Sequence, residues 1–501
     1  MASSGNDIPL SSSDQTPTSS PIQSWSENYG VTLQQLTGRR APFPTLQSFS
    51  AAQTRRGEWV LFGGRTNGLH NFPEASQSDN GKTAFPPAYQ NERVWVYDPQ
   101  RDRSWSKPLS KSGLSAGKQL SLSTTNAEDL QQGDVLFHVG GYVYDKANDS
   151  FQTRNRLSAI DLSALSAWVK GKTKQLPGNA VLSTAGKPMQ VNGQDTHYFA
   201  VTGGDLLAGE NSNQAQLIFG QDFQTGYGDE ATTVQIYTQQ VRNFTIHYDR
   251  DQRKLGYTNN GVSDPNQSKY NRRDGNVVTQ LSLNQKQQIK QQGEAIGGVF
   301  YGGAGVYTVP AQIDLITGQP TMANPDDAAT FRQGINQYTA ANVGLFSRQE
   351  NSQTNLVFGG ISALTLDPNG DPFFNSENPY PFTSQIAAIK RNAKGEWSQS
   401  IPGSYPALST ASGEPLTFGA SSAFIPLAKG QDPRVRYLAD GVVDLDRLRR
   451  RSDPGESVLI GYAVGGIKSQ LADDFNDPTT YGSTNWTQAS GEIFKVMITP
   501  N

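Results

Sequence analysis

Cysteine is absent from this sequence of 501 residues, and histidine occurs only four times. Without cysteine the chain has no disulfide, no thiolate metal ligand and no cysteine nucleophile. No apolar run approaches the roughly 18 residues that a membrane-spanning helix needs, so we expect no membrane insertion. Charged residues make up 17% of the chain and the formal net charge is −3. Such a chain has no broad positive field, and we expect no nucleic-acid partner.

Turn-forming residues are plentiful, since the chain has 50 glycines and 28 prolines. This composition favours many short strands and indicates an all-β protein. The first residues are small, polar and proline-containing, and they lack the basic start and apolar core of a secretory signal. We predict a flexible polar tail over residues 1–22 and a folded region over 23–501. The expected location is cytoplasmic by default, although the richness in Asn, Gln, Ser and Thr is typical of extracellular proteins.

An apolar run followed by two glycines recurs along the chain. The six occurrences are VLFGG ending at Gly64, LFHVGG at Gly141, YFAVTGG at Gly204, GVFYGG at Gly303, NLVFGG at Gly360 and GYAVGG at Gly466. A second apolar run follows each pair, beginning at Arg93, Arg156, Thr233, Ala311, Gln385 and Glu492. In three units a tryptophan lies eight residues past the aligned strand position, namely Trp105, Trp168 and Trp397. This order predicts a radial β repeat, because a single sheet with two apolar faces must bury both against neighbours.

The pattern resembles the Kelch repeat, whose β-propeller also forms the central domain of galactose oxidase. The resemblance covers roughly Trp25 to Asn501 and is carried mainly by the glycine pairs. It implies an all-β, six-bladed Kelch-like β-propeller. The glycine pairs are 57 to 106 residues apart, more than the roughly fifty of a Kelch repeat, so long insertions are expected. The string GGRTNGLH is similar to one in secreted bacterial Kelch-like proteins, which favours an extracellular setting.

The sixth unit ends on its third strand, in EIFKVMITPN. An unpaired strand edge is usually avoided, so we expect its fourth strand from the other end of the chain. QSWSENYGVTLQQL has a tryptophan followed by β-compatible residues, as RSWSKPL does in the first unit. We predict that the segment from Trp25 to Leu36 completes the sixth blade and closes the propeller.

Three residues beside glycine pairs are candidates for binding. Arg65 could hold a carboxylate or a sugar hydroxyl, and His70 could act as a base or ligand near neutral pH. Asp205 follows its glycine pair directly, as Arg65 does, so both are expected to face the axis. For Arg65 and His70 we favour the structural alternative, in which Arg65 bonds loop carbonyls and His70 fixes the loop. A phosphate loop does not fit, because the glycine spacing is wrong and no helix follows.

No cofactor is predicted. In galactose oxidases the copper centre includes a tyrosine–cysteine crosslink, so the lack of cysteine excludes copper-radical oxidation. Weak calcium candidates are Asp367, Asn369 and Asp371 in DPNGDP, where oxygen-bearing side chains alternate. A proline turn is the alternative that we favour, since the glycine and distal glutamate of a calcium loop are missing.

Long connections between second and third strands should share one propeller face, at 65–92, 142–155, 205–232, 361–384 and 467–491. Loops on a rigid scaffold concentrate binding surfaces, although insertions are also tolerated at little cost. We predict a non-catalytic binding protein that engages a protein or a glycan through this face. The alternative is an enzyme for a sugar or other small polar substrate in the axial funnel, lined by Arg65, His70 and Asp205. A structural subunit of an assembly is a third possibility. A short arginine-rich helix, within 444–457, is expected to project from the opposite face.

Overall fold

A computed structural model describes residues 22–70, 78–211, 213–227, 233–301, 305–362, 364–366, 371–374, 382–470 and 487–501. The chain is all-β, and six four-stranded antiparallel sheets dominate it. We number these sheets 1 to 6, and their strands first to fourth in hydrogen-bonding order. Sheet 1 contains Ser50–Gln53, Trp59–Phe62, Arg93–Asp98 and Arg103–Pro108; sheet 2 contains Glu128–Gln132, Val135–Val139, Leu157–Asp161 and Val181–Thr184; sheet 3 contains Asp205–Ala208, Gln214–Ile218, Val241–Asp249 and Lys254–Val262. Sheet 4 contains Asn276–Leu283, Ile289–Ile296, Ala311–Ile313 and Pro320–Met322; sheet 5 contains Asn342–Ser347, Ser352–Ile361, Phe382–Arg391 and Trp397–Ser404; sheet 6 contains Ala423–Pro426, Val458–Val464, Ile493–Pro500 and Tyr29–Gln35.

The fourth strand of sheet 6 comes from the N-terminal part of the chain. Tyr29–Gln35 runs antiparallel to Ile493–Pro500 along its whole length, so the pairing expected for the segment from Trp25 to Leu36 is present. Trp25 itself lies before the strand. Its ring meets the Tyr29 ring edge to face at 5.2 Å, and its Nε1 donates to the Tyr29 carbonyl at 3.0 Å. The tryptophan therefore anchors the start of the strand.

Sheet 5 is extended at both edges. Ile22–Gln23 lies parallel to its fourth strand, and the hairpin of Tyr437–Ala439 and Val442–Asp444 adds to the free edge of its first strand. The other strands form one further sheet and several ribbons in the connections. These are Leu408–Ser409, Pro415–Ala420, Ile467–Ser469 and Thr487–Ala489, and the ribbons Tyr142–Asp145 with Ser150–Thr153, Pro188–Val191 with Gln194–His197, Gln221–Phe223 with Gln235–Tyr237, Val299–Tyr301 with Gly305–Val306, and Leu364–Leu366 with Pro372–Phe374.

The helices are short. The α-helices include Ala116–Ser121, Leu162–Val169, Gln267–Tyr270 and Leu445–Arg451, and the 3₁₀ turns include Pro87–Tyr89 and Leu109–Lys111. Within the described ranges no helix has the length and apolar character needed to cross a membrane. Trp105 and Trp397 lie on fourth strands, whereas Trp168 lies in a helix that precedes the fourth strand of sheet 2. The tryptophan spacing therefore does not mark the same element in all three units.

The arginine-rich helix is present as Leu445–Arg451, but it packs against sheet 5 and does not project. Leu445 and Leu448 are buried. The buried Asp446 carboxylate accepts from the Ser347 hydroxyl and the Arg348 amide, both at 2.8 Å. Arg449 pairs with Glu350 at 2.6 Å, so part of its positive charge is neutralised within the fold.

Apolar side chains fill the space between each sheet and the next. Representative buried pairs are Phe62 and Ile160 between sheets 1 and 2, Val139 and Phe244 between 2 and 3, Ile218 and Ile313 between 3 and 4, Val278 and Val357 between 4 and 5, Leu356 and Val496 between 5 and 6, and Tyr462 and Trp59 between 6 and 1. Sheet 6 thus packs on sheet 1 much as sheet 1 packs on sheet 2. The order of sheet packing is cyclic.

In each of the six sheets, the second strand has two consecutive residues with positive φ at or near its end. These turns are Gly63–Gly64, Gly140–Gly141, Phe219–Gly220, Gly297–Gly298, Gly359–Gly360 and Gly465–Gly466, with φ between +54° and +114°. The expectation for Gly203–Gly204 was wrong, because this pair precedes the first strand of sheet 3. The pair that ends at Gly303 lies outside the described residues, and Gly297–Gly298 ends the second strand of sheet 4. The run from Thr233 likewise belongs to a ribbon, because the third strand of sheet 3 is Val241–Asp249.

Close approach between neighbouring sheets explains the glycines. A Cβ on Gly63 would lie 2.3 Å from the Thr124 carbonyl oxygen, just before sheet 2, and one on Gly140 would lie 2.0 Å from that of Val201, just before sheet 3. In the same way Gly466 N donates to Leu46 O at 2.8 Å, which links sheet 6 to sheet 1. Glycine is therefore the residue that fits at most of these positions, because it has no Cβ.

A ring of six backbone hydrogen bonds joins the segments that lead into the first strands. In it Ser48 N donates to Ser421 O, Ser421 N to Thr339 O, Thr339 N to Asp274 O, Asp274 N to Gly203 O, Gly203 N to Asn126 O, and Asn126 N to Ser48 O, at distances of 2.7 to 3.1 Å. Each sheet contributes one residue. The ring closes without a gap, so the six first strands begin around a common centre, which we call the axis.

Candidate binding face

The connections between second and third strands leave the sheets at the end marked by the glycine turns. We call this end the loop face and the opposite end the turn face. The connection in sheet 1 runs over residues 63–92, and those in sheets 2 and 3 each contain a two-stranded ribbon. The contacts of these loops decide where Arg65 and His70 lie.

Arg65 is buried in its own loop. Its Nε donates to Asn67 Oδ1 at 3.0 Å and its Nη2 to the Pro86 carbonyl at 2.8 Å. The guanidinium carbon lies 3.5 Å from the centroid of the Phe85 ring, and burial lowers the pKa of the Arg65 side chain. These contacts join the two ends of the loop, which is the arrangement that the structural alternative predicts.

His70 connects the loop of sheet 1 to that of sheet 3. Its ring lies 4.4 Å from the Tyr227 ring. Phe85 stacks on the same tyrosine at 5.4 Å. Phe85 and Tyr227 belong to an aromatic cluster that also contains Tyr142, Tyr144, Phe151 and Phe223. Since these residues come from the second-to-third-strand connections of sheets 1, 2 and 3, the aromatic cluster packs three loops against one another.

Leu69 reaches the other side of the ring of sheets. It packs against an apolar cluster in which Ile361 and Phe382 come from the second and third strands of sheet 5, and Ala420 and Ile467 come from the connections before and within sheet 6. Its amide donates to Thr487 Oγ1 at 3.0 Å. Because Leu69 contacts sheets 5 and 6 while His70 contacts sheet 3, residues 68–70 lie across the axis on the loop face.

Asp205 is not at a position equivalent to Arg65. It begins the first strand of sheet 3, and its Oδ2 accepts from the Val277 amide of sheet 4 at 3.3 Å. Glu128 of sheet 2 makes the corresponding contact to Gly204 N at 2.9 Å, and Asn276 of sheet 4 accepts from Ala340 N at 3.0 Å. Asp205 therefore makes one of three successive side-chain hydrogen bonds that join neighbouring sheets at the starts of their first strands. Asp205 begins a first strand and Arg65 follows a second strand, so the two residues do not occupy matching turns.

Asp205 is close enough to other carboxylates for their charges to affect its pKa. Burial, with a smaller contribution from the charges of Asp440 and Asp129, raises the pKa of Asp205 to about 7. Burial also raises the pKa of Glu128 well above its ordinary range, and Glu128 Oε2 accepts no hydrogen bond. Burial therefore disfavours the charged forms of Asp205 and Glu128. Within the described ranges, however, no three His, Cys, Asp or Glu side chains are placed to bind a metal ion together.

Asp440 comes from the hairpin that extends sheet 5, which the sequence analysis missed. The hairpin strands pair along the first strand of sheet 5, and Gly344 N donates to Gly441 O at 2.7 Å. Val442 and Val443 are buried, whereas Asp440 at the tip keeps contact with solvent. The Asp-Gly dipeptide between two apolar runs is the signal that could have revealed this hairpin.

His138 makes a second polar link, between sheets 1 and 2, that the sequence did not indicate. Its Nδ1 lies 2.8 Å from Asp129 Oδ1 and its Nε2 lies 3.0 Å from Thr124 Oγ1. Ser50 Oγ meets Nδ1, the nitrogen already facing the carboxylate, so it cannot serve as a triad nucleophile. Thr124 faces the other nitrogen but is only 1% exposed. His138 and its partners therefore form a buried polar contact between sheets 1 and 2.

The calcium candidates are only partly described. Asp371 is exposed, and Asp367 and Asn369 lie outside the described residues. The calcium prediction therefore stays a prediction.

Comparison with known proteins identifies no family. No family model matches the chain, and no curated protein matches it either. Among solved structures, one titled "Structure of YjhT" is similar with a TM-score of 0.42 and 10% sequence identity, and the match covers 93% of this chain and 99% of that one. At this level the similarity carries no argument about function.

Proposed function

We propose that the six sheets are the blades of a Kelch-like β-propeller. Four observations support this: sheets 1 to 6 pack in cyclic order, the glycine-turn contact recurs between sheets 6 and 1, six hydrogen bonds form a closed ring, and an N-terminal strand completes sheet 6. A propeller explains all four with one arrangement, because each blade buries both faces only when the circle is complete.

We further propose that the chain is a non-catalytic binding protein and that a protein or a glycan binds its loop face. The observation that carries this proposal is the bracing of the loops. Residues 68–70 contact the connections of sheets 3, 5 and 6, and the aromatic cluster joins those of sheets 1 to 3. Loops held in place before binding lose little conformational entropy when a partner arrives.

The same loop weakens the alternative of an enzyme in the axial funnel. Residues 68–70 lie across the axis on the loop face, where such an enzyme would admit its substrate. Two of the three groups expected to line the funnel also have other partners, since Arg65 bonds its own loop and Asp205 bonds sheet 4. Binding at the loop surface is therefore the function that these contacts favour.

Exposed apolar side chains provide a test with a matched control. In the described part of the chain, the large apolar residues left exposed are Tyr89, Val234 and Ile316. Tyr89 and Val234 lie in loop-face connections of sheets 1 and 3, whereas Ile316 lies in a turn-face connection of sheet 4. The three positions separate the two faces.

The experiment compares wild type, the double variant Tyr89→Ala/Val234→Ser and the control Ile316→Ser. Each immobilised chain is exposed to extract from the native source and to a glycan array. We expect wild type and control to retain the same protein or glycan, and the double variant to bind it at least about tenfold more weakly. The proposal fails if wild type retains neither class of partner, or if the double variant binds equally well.

A further inference from the structure

A cavity of about 290 Å³ opens between sheets 4 and 5 on the turn face, far along the strands from the glycine turns. Its wall is formed by the hairpin of the first two strands of sheet 4 and by the turns of sheet 5. The polar lining includes Lys290, Gln292, Asn351, Arg391, Asn392 and Lys394. This volume is near the lower end of the range of small-molecule sites.

Three cations line this cavity, and the described lining contains no carboxylate. Lys290 and Lys394 are exposed at its mouth, and Arg391 is half-buried. Within the described part of the chain, none of the three forms an ion pair, whereas the neighbouring Lys390 pairs with Glu27 at 2.7 Å. Acids outside the lining, Asp314 near Lys290 and Glu294 near Arg391, interact with two of these cations through their charges. Three positive charges around a concave space create a field that attracts anions.

Two donors in this cavity region are buried and unused. Arg391 Nε and Gln292 Nε2 have no hydrogen-bond partner. A buried donor without a partner is unfavourable, so a ligand that accepts hydrogen bonds from both donors would bind favourably. The pattern favours an acceptor-rich ligand.

The acid nearest in sequence to these donors is Glu294. It shares one face of its strand with Lys290 and Gln292, because side chains alternate along a strand. It is fully buried, and neither carboxylate oxygen has a hydrogen-bond partner. Burial raises the pKa of Glu294 well above its ordinary range and so disfavours its charged form, whereas the positive charge of Arg391 acts in the opposite direction.

We propose that this cavity binds a small molecule through an oxyanion group, held by Arg391 and Lys290 with the Gln292 amide as a further donor. Guanidinium and ammonium groups bind sulfate, phosphate and carboxylate oxygens through charge-assisted hydrogen bonds. The site lies on the turn face, and it is separate from the loop-face binding proposed above.

The test measures thermal unfolding of the full chain during titration with sodium sulfate, phosphate or acetate, with sodium chloride keeping the ionic strength constant. The variants are Lys290→Gln/Lys394→Gln, which changes two exposed side chains and should fold normally, and Arg391→Gln. The control is Lys286→Gln, an exposed lysine in the same hairpin of sheet 4 that does not line the cavity.

We expect a saturable rise in melting temperature for wild type and control with at least one anion. Half-saturation should need at least about tenfold more anion in the Lys290→Gln/Lys394→Gln variant and in the Arg391→Gln variant, since charge-assisted hydrogen bonds are stronger than neutral ones. The anion that saturates at the lowest concentration identifies the ligand class. A rise that is linear in all variants, as salt exclusion from the surface produces, would overturn the proposal, as would equal saturation in the double variant.

Discussion

Asp205 ties the first strands of sheets 3 and 4 together with a carboxylate that burial makes difficult to ionise. The unfolded chain loses this proton near the ordinary pKa of 3.8, whereas the folded chain keeps it until about pH 7. A group whose pKa is raised by folding stabilises the fold fully below the unfolded pKa. That contribution is lost as the pH rises toward the folded pKa.

The substitution Asp205→Asn tests this linkage. The free energy of unfolding of the variant relative to wild type should rise by roughly 1–3 kcal/mol between pH 4 and pH 8, because one pKa unit corresponds to about 1.4 kcal/mol and residual solvent contact reduces the full value. Urea unfolding of both proteins at intervals of one pH unit measures this difference in the free energy of unfolding. The exposed Asp251→Asn serves as the control, and a relative stability of Asp205→Asn that does not change with pH would contradict the assignment.

The turn that ends each second strand is the element that sets the distance between neighbouring sheets. Five of the six begin with glycine, and the exception is Phe219 at φ +54°. In these turns the second residue brings its amide to the segment before the next sheet, as Gly64 does to Thr124 O and Gly141 to Val201 O, both at 2.8 Å. A side chain in place of Gly63 or Gly140, the first residue of each turn, would collide with that same carbonyl oxygen.

The variants Gly140→Ala and Gly171→Ala separate close approach from backbone strain. Both glycines have positive φ, +64° at Gly140 and +77° at Gly171. A Cβ on Gly171 meets nothing within 4 Å, whereas one on Gly140 lies 2.0 Å from Val201 O. We expect Gly171→Ala to cost about 1 kcal/mol and Gly140→Ala at least about 3 kcal/mol, since the backbone must also shift. Chemical denaturation of both variants measures the difference, and equal costs would show that sheet contact is unimportant there.

The hairpin over residues 437–444 is an element of a different kind, because it belongs to no repeat. It leaves the chain between the first and second strands of sheet 6, yet it pairs with the first strand of sheet 5. Leu438 and Val442 pack with Leu281 and Phe346, so the hairpin also touches sheet 4. It occupies space near the axis and brings Asp440 close enough to raise the pKa of Asp205.

At the scale of the whole molecule, sheet 6 depends on a strand from each end of the chain. Tyr29, Val31 and Leu33 of the N-terminal strand are buried in the core between sheets 5 and 6. Burying three such side chains contributes roughly 4.5–9 kcal/mol, at about 1.5–3 kcal/mol each. A whole domain is stable by only about 5–15 kcal/mol, so the strand is a large part of the total.

Two truncations test this dependence. Deleting residues 1–36 should lower the melting temperature by more than about 10 °C or prevent folding, because the strand and its buried residues are lost. Deleting residues 1–20 should change it by less than about 2 °C, since Ile22–Gln23 and Tyr29–Gln35 remain. Calorimetry or circular dichroism measures both, and an unchanged melting temperature after the longer deletion would rule out the closure.

The sequence by itself determined the all-β class, most second and third strands, and the origin of the last strand. These features have local signals. A turn with two positive φ values against a carbonyl requires glycine, so Gly63–Gly64 and Gly465–Gly466 are visible without coordinates. The segment before residue 36 shows strand-forming residues, and the sixth unit lacks a partner. The same logic failed at Gly203–Gly204, because Gly203 has a positive φ where the chain enters the central ring. A glycine pair does not tell one tight contact from another.

Only the tertiary structure decided where the candidate side chains point and which of them meet. Arg65 turns into its own loop, Asp205 crosses to sheet 4, and the hairpin near residue 440 reaches the axis from another sheet. The cationic cavity joins turns that are about a hundred residues apart in sequence, from Lys290 to Arg391. Such contacts depend on the burial and charge of distant neighbours, and no local pattern of residue types encodes those surroundings.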